Sequence, residues 1–307
     1  MAGQRCLSRR TVLQGLLGLG LAACGDRLRS PDRSGTRSAP PLTIAAAASL
    51  QDSLRAIVAE MPTLPPATFT FGGSGALQQQ IAQGAPVDLL ITASPQPLDL
   101  LATQDLLWPG GRLNLLSNTL VLVASALTAP EFAAPEFAAP EAPPQDSQNL
   151  PDLAPDSASK LTPDAVQGFA AIDRALTDNP QLRVAVGNPV LVPAGEYGVE
   201  VLRFLGLYER WEPQIVWTKD VRQVLAYVET GNVVAGLVYG TDARLSGAVR
   251  QVAVAPAGSH RPIVYPGAVL RSSRQATAAL VFLTQLTQPP AQAIFQRYGF
   301  LPLPDAN

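Results

Sequence analysis

Leu42-Thr43-Ile44-Ala45-Ala46-Ala47-Ala48, followed directly by Ser49-Leu50, is the stretch on which the fold turns. Three residues suited to a strand run into four small apolar ones, a pattern that predicts a buried strand. Behind it Leu50, Leu54, Ile57, Val58 and Met61 recur at helical spacing, which places Ser49 where an N-cap belongs. A strand feeding straight into a helix through small residues is the opening of a βα unit.

The same unit repeats toward the C-terminus. Phe69-Thr70-Phe71 reads as a strand, Gly72-Gly73-Ser74-Gly75 as a tight turn, and Leu77 and Ile81 mark the helix that follows. Asp88 to Thr92 is a third strand, the segment after Pro95 a third helix, and Leu120 to Val123 another strand. A second series starts at Val184-Ala185-Val186. It continues with a helix from Tyr197 to Leu205, a strand at Ile215 to Trp217, and a helix face of Val221, Val224, Leu225 and Val228. Strands follow at Val233 to Tyr239, Val249 to Val254 and Ile263 to Leu270, and two helices close the chain near 276–286 and 291–298. Alternation of this kind predicts mainly parallel sheets with right-handed crossovers. There are too many units for one short sheet, so the expected class is α/β with two lobes.

Between the two series the composition changes. Pro130-Glu131-Phe132-Ala133-Ala134 repeats at once as Pro135 to Ala139, and Pro- and Asp-rich sequence runs on to about Asp164. With seven acids against Lys160 alone, residues 129–164 read as a solvated, low-complexity insertion. The N-terminus reads as an address. Ser8-Arg9-Arg10-Thr11-Val12-Leu13 is a twin-arginine pattern, and the apolar run from Leu16 to Ala23 ends in Leu21-Ala22-Ala23-Cys24-Gly25. Residues 1–23 are therefore expected to be a signal peptide with a lipobox, Cys24 the lipidated residue, and 24–41 a flexible tether rich in Arg, Ser and Pro.

Composition removes several classes. The chain has 307 residues, 47% hydrophobic and 15% charged, with a net charge of −2. Disorder throughout is ruled out, and the near-neutral balance argues against nucleic acid as a partner. No apolar run approaches the roughly 20 residues of a membrane-spanning helix. Two cysteines and the single His260 leave little for a metal site or a disulfide framework.

Three junctions place small or hydroxyl residues where helices begin: Ala48-Ser49, Gly73-Ser74-Gly75 and Pro193-Ala194-Gly195. Unpaired N–H groups and the positive end of the helix dipole suit such junctions to anions. Singly each is weak; together, without a cluster of acids, His and Cys, they point to anion binding. A serine hydrolase using Ser74 is the enzymatic alternative. Its nucleophile elbow would need glycine at position 76, where alanine stands, and His260 sits in a turn. A lipid-anchored adhesin or scaffold would use the repeat around Phe132 and Phe137 but leave the three junctions unexplained.

The residues that stand in order along the chain resemble those of the molybdate-binding proteins of bacterial ABC importers. They are Ala46 to Leu50, Phe71 to Ser74, Gly84 to Asp88, Val184 to Pro189, Val192 to Gly195, Asp220 to Arg222, Val238 to Ala243, and Ile294 to Phe300. The resemblance spans Leu42 to Leu301 apart from the insertion. It implies a two-lobed periplasmic-binding-protein fold of type II, with lobe 1 formed by 42–119 and 267–307 and lobe 2 by 120–266. The crossings would fall near Ser117 to Leu122 and Val264 to Val269. It also implies a monomer outside the cytoplasm, in the periplasm or on the outer face of the membrane, that passes molybdate or tungstate to ABC permease subunits. No catalysis and no cofactor would be involved.

The oxyanion ligands implied by the family are Ser49 and Ser74 (hydroxyl and N–H), Ala194 and Val221 (N–H), and Tyr239 (phenol). Chemistry agrees with that set. Molybdate at neutral pH carries no proton and only accepts hydrogen bonds, so a site of donors fits it and an inward carboxylate would repel it. The metal would enter only as its oxyanion. Asp52 and Asp220 read as first-turn or capping acids. Another tetrahedral oxyanion such as sulfate is the alternative cargo.

Overall fold

The computed structural model describes residues 40–126 and 163–303. The signal peptide, Cys24, nearly all of the tether, and the body of the acidic insertion lie outside those residues.

Within them the chain builds two five-stranded sheets. The first draws on β1 (Leu42–Ala47), β2 (Ala67–Gly72), β3 (Leu89–Ile91), β4 (Leu107–Ser117) and, from far along the chain, β10 (Val264–Leu270). Their order is β2-β1-β3-β10-β4. The second sheet takes β5 (Leu120–Ser125), β6 (Val184–Gly187), β7 (Ile215–Thr218), β8 (Ala235–Tyr239) and β9 (Val249–Val254), in the order β7-β6-β8-β5-β9. The two orders are copies of one scheme. In each, three neighbouring strands are parallel, and a fourth that arrives by a crossing runs antiparallel between the third and the fifth. Both sheets are thus mixed, with parallel pairing confined to the three strands joined through helices. The strands that come directly from the other sheet have no helical crossover to turn them round.

Helices α1 (Gln51–Glu60), α2 (Ser74–Ala82) and α3 (Gln96–Thr103) follow the first three strands. In the second half α5 (Pro193–Phe204) follows β6, α7 (Val221–Glu229) follows β7, and the short α8 (Gly240–Ala243) follows β8. The alanines of β1 explain why it lies at the heart of its sheet. Ile44 and Ala46 join the larger apolar core, whereas Ala45 packs on the other face with Leu77, Leu90 and Leu98. Side chains this small let α-helices cover both faces closely.

Three sequence expectations change. Leu107–Ser117 is a full strand in a stretch for which the sequence pattern predicts no element; it contains Pro109-Gly110-Gly111, and β4 has two irregularities in its register with β10. Helix α4 (Pro163–Asp178) is hidden behind the acidic composition and takes in the last two residues, 163 and 164, of the expected insertion. Its buried Phe169, Ile172 and Leu176 tie it to the core. Ser49 is not an N-cap. It sits inside a single 3-10 turn, Ala48–Leu50, ahead of α1, whose cap position is Leu50 with no side-chain cap bond.

Candidate functional site

Every candidate ligand residue read from the sequence stands at or follows the carboxyl end of a strand. Ser49 is two residues beyond β1, Ser74 two beyond β2, and Val221 three beyond β7; Ala194 is the second residue of α5, which follows β6, and Tyr239 is the last residue of β8. In open α/β sheets this is the end where ligands gather. The structure brings all five together. They line one small cavity with Ala47, Ala48, Gly72, Gly73 and Ala93 from the first half and Val192 and Pro193 from the second. The room it leaves for the centre of a water-sized sphere is about 10 Å³, far below the ~300 Å³ at which pockets for drug-sized ligands begin. It suits a small ion.

The walls carry no carboxylate, ammonium or guanidinium. What they offer is donors. Ser74 Oγ accepts the N–H of Ala93 at 3.1 Å, so its own proton remains to be given. Ser49 Oγ is 3.0 Å from Tyr265 Oη. Tyr239 is fully buried, yet its Oη has no hydrogen-bond partner among the described residues. Tyr265 lies beside it, with ring centroids 5.8 Å apart. An unpaired buried hydroxyl costs about 1–3 kcal/mol, a cost that a bound acceptor would remove. Burial, and then the neighbouring Tyr265, hold the Tyr239 pKa well above the usual phenol value, so it stays a donor.

Backbone groups complete the set. Ser74 is the first residue of α2, Ala194 the second of α5 and Val221 the first of α7, positions whose N–H groups have no intrahelical acceptor. Pro193 at the start of α5 contributes no competing N–H. Asp220 caps α7, its Oδ1 accepting the N–H of Gln223 at 2.8 Å, and so leaves the Val221 N–H free. The first turn of α5 lies directly on the end of β6: a Cβ on Gly195 would overlap the carbonyl of Gly187.

The charges stand behind the cavity and neutralise one another. Arg222 reaches from α7 to Asp52 on α1 (2.6 Å) and to the fully buried Asp242 (2.8 Å). Burial pushes the Asp242 pKa up to about 7, with Arg222 opposing the shift. The Arg222–Asp52 pair joins the two halves, as does the N–H of Gly75 donating to the carbonyl of Leu191 at 2.8 Å. Sequence reading missed Ala93, Asn118 and Tyr265, whose roles depend on strands distant in sequence. It also missed Ser94, whose buried hydroxyl is unpartnered among the described residues.

The hydrolase alternative finds no support in this geometry. His260 does not line the cavity; its Nδ1 is 2.6 Å from the Arg261 carbonyl and its ring packs on Tyr197. Nothing on the cavity wall could take the proton of Ser74. Among the described residues no cluster of three or more His, Cys, Asp or Glu could hold a metal, and no helix is long and apolar enough to cross a membrane.

Paired α/β sheets whose strand ends enclose a small, charge-free nest of donors define a binding protein for a small solute. The chain belongs to the bacterial extracellular solute-binding proteins, a family whose model matches residues 42–301. It is 33% identical to the molybdate-binding protein ModA of Escherichia coli over 84% of this chain and 88% of that one. It is likewise 33% identical, over 91% and 92% of the two chains, to YvgL of Bacillus subtilis, whose name places it among ABC transporter substrate-binding lipoproteins. The periplasmic molybdate-binding protein of Azotobacter vinelandii shares the fold, with a TM-score of 0.64 over 86% of this chain and 100% of that one at 22% identity. The family resemblance read from the sequence is thereby borne out. The protein is a bacterial extracellular solute-binding protein and not an enzyme.

Proposed function

We propose that this protein captures molybdate, and equally tungstate, outside the cytoplasm and hands it to the permease subunits of an ABC importer in the inner membrane. In this reading Ser49, Ser74 and Tyr239 donate through hydroxyls, and Ser49, Ser74, Ala194 and Val221 through N–H groups. The anion bridges lobe 1 (42–119 and 267–307) and lobe 2 (120–266) of a monomer, and a lipid on Cys24 holds it at the membrane. The observation that carries the proposal is the donor set: hydroxyl protons and helix-end N–H groups converge on a cavity without one charged side chain. Such a site holds an anion that only accepts, because preorganised dipoles replace its hydration shell.

Sulfate, also free of protons, would meet the same donors, so size must decide between the two. Calorimetric titration with molybdate, tungstate, sulfate and hydrogen phosphate tests the reading. Saturable binding of the first two in preference to the others is expected; preference for hydrogen phosphate would refute it. Cys24→Ser should release the protein from membrane fractions, and unchanged fractionation would remove the lipid anchor from the account.

A further inference from the structure

We infer that Asn118 and Tyr265 are positioning residues that force the Ser49 hydroxyl to face the cavity as a donor, and so set the site against oxyanions that carry a proton. The inference rests on the oxyanion reading and deepens it. Neither residue lines the cavity. Asn118 lies in the short link between β4 and β5, and Tyr265 is the second residue of β10, so both stand where the chain passes between the sheets.

The direction of each bond follows from the one before it. Thr119 donates its N–H to Asn118 Oδ1 at 2.9 Å, which fixes the oxygen end of the amide. The amide nitrogen therefore carries both donors, one directed to Thr241 Oγ1 at 3.0 Å and the other to Tyr265 Oη at 3.2 Å. An amide nitrogen cannot accept, so the Tyr265 proton must go elsewhere, and Ser49 Oγ lies 3.0 Å away. Ser49 then accepts from Tyr265 and has its own proton left for the cavity. All three residues are buried, at 6% exposure or less, so water does not scramble the order. Tyr265 is locked by its ring, which meets Phe300 edge-on at 5.5 Å. Burial raises its pKa far above the usual phenol range, and its proton is always present.

The consequence is selective. A hydroxyl free to turn can donate to molybdate or accept the proton of hydrogen phosphate. A hydroxyl that already accepts from Tyr265 always has its proton to give to molybdate and has only one lone pair left for the proton of hydrogen phosphate. Hydrogen phosphate carries the same double charge as molybdate at about pH 8, so the two anions differ there in the proton and in size, and not in charge.

The test compares wild type, Asn118→Asp and Tyr265→Phe at about pH 8, with molybdate affinity read by calorimetry and phosphate affinity by displacement of bound molybdate. Asn118→Asp replaces the donor by an acceptor and should reverse the relay: Tyr265 donates to the introduced carboxylate, Ser49 donates to Tyr265, and a lone pair faces the anion. The added charge repels both dianions alike, so the ratio of the two affinities isolates the relay. That ratio should fall about tenfold or more in Asn118→Asp, the worth of one hydrogen bond to a charged group. Tyr265→Phe, which keeps the ring packing and adds no charge, should lower it by a smaller factor and serves alone if the aspartate variant does not fold. Equal losses for both anions, leaving the ratio unchanged, would reduce Asn118 and Tyr265 to scaffolding and overturn the inference. A wild type that binds no molybdate would overturn the oxyanion reading as well.

Discussion

Tyr239 is the residue on which the chemistry of the site can be tested most simply. Its phenol is buried, neutral and unpartnered among the described residues, so removing the oxygen leaves no other bond broken. Hydrogen bonds to a charged group contribute about 1.5–3 kcal/mol. Tyr239→Phe should therefore weaken molybdate binding roughly tenfold to a hundredfold, while the midpoint of thermal unfolding without ligand holds or rises. Calorimetry on the variant checks the first and a melting curve the second; unchanged affinity would remove Tyr239 from the site. At this scale much is legible in the sequence. Ser49, Ser74 and Ala194 stand at junctions where small residues precede a helix, a local signal. Asn118 and Tyr265 give no such signal, because their meaning lies in contacts across 147 residues of chain. Ser49 itself reads as a cap because hydroxyl before helix is the usual pattern, whereas its partner is Tyr265 on a distant strand.

Among the elements, the N-terminus of α2 brings the backbones of the two halves close together. A Cβ on Gly75 would stand 2.8 Å from Leu191 Cα and from the Val190 carbonyl oxygen, and one on Gly73 a similar distance from the Leu191 and Lys219 carbonyls. These glycines admit the second half to the donor nest. Gly75 has no left-handed backbone, so alanine there is no strain within the helix and favours it. Gly75→Ala should thus leave thermal stability level or slightly raised. In the proposed reading the halves part without ligand and close on the anion, so overpacking of about 1–3 kcal/mol should fall on the closed form alone, weakening molybdate binding by at least about fivefold. Small-angle scattering should show less compaction on adding molybdate than in wild type. Full compaction with undiminished affinity would show that closure does not need this approach. Most helices and strands are legible from their periods of 3.6 and 2. Strand β4 is not, since it contains Pro-Gly-Gly and its pairing with β10 is irregular. Nor is α4, whose apolar positions follow directly on acidic low-complexity sequence.

For the whole molecule, the repeated sheet scheme is legible from the βα rhythm, but the antiparallel strands are not, since pairing direction depends on where the chain crosses. Asp242 is fully buried with a carboxyl pushed up to about 7, against about 3.9 in an unfolded chain. Between those values the folded protein holds a proton that the unfolded chain has lost. The contribution of Asp242 to stability therefore falls as pH rises from about 4 to about 7 and is level above that. Asp242→Asn abolishes this component, so the stability of wild type relative to the variant should decline across that window. Urea unfolding at a series of pH values measures it, and parallel curves would contradict the assignment.

The central claim is that one proton-free oxyanion sits among five named residues on two halves of the molecule. A crystal structure of the protein with molybdate, with data collected at the molybdenum absorption edge, tests it most directly. A single anomalous peak in the cavity is expected, with the oxygens of the anion within hydrogen-bond distance of the Ser49, Ser74 and Tyr239 hydroxyls and the Ala194 and Val221 N–H groups. A peak elsewhere, or one in the cavity contacted by a carboxylate or held by a cationic side chain, would contradict it.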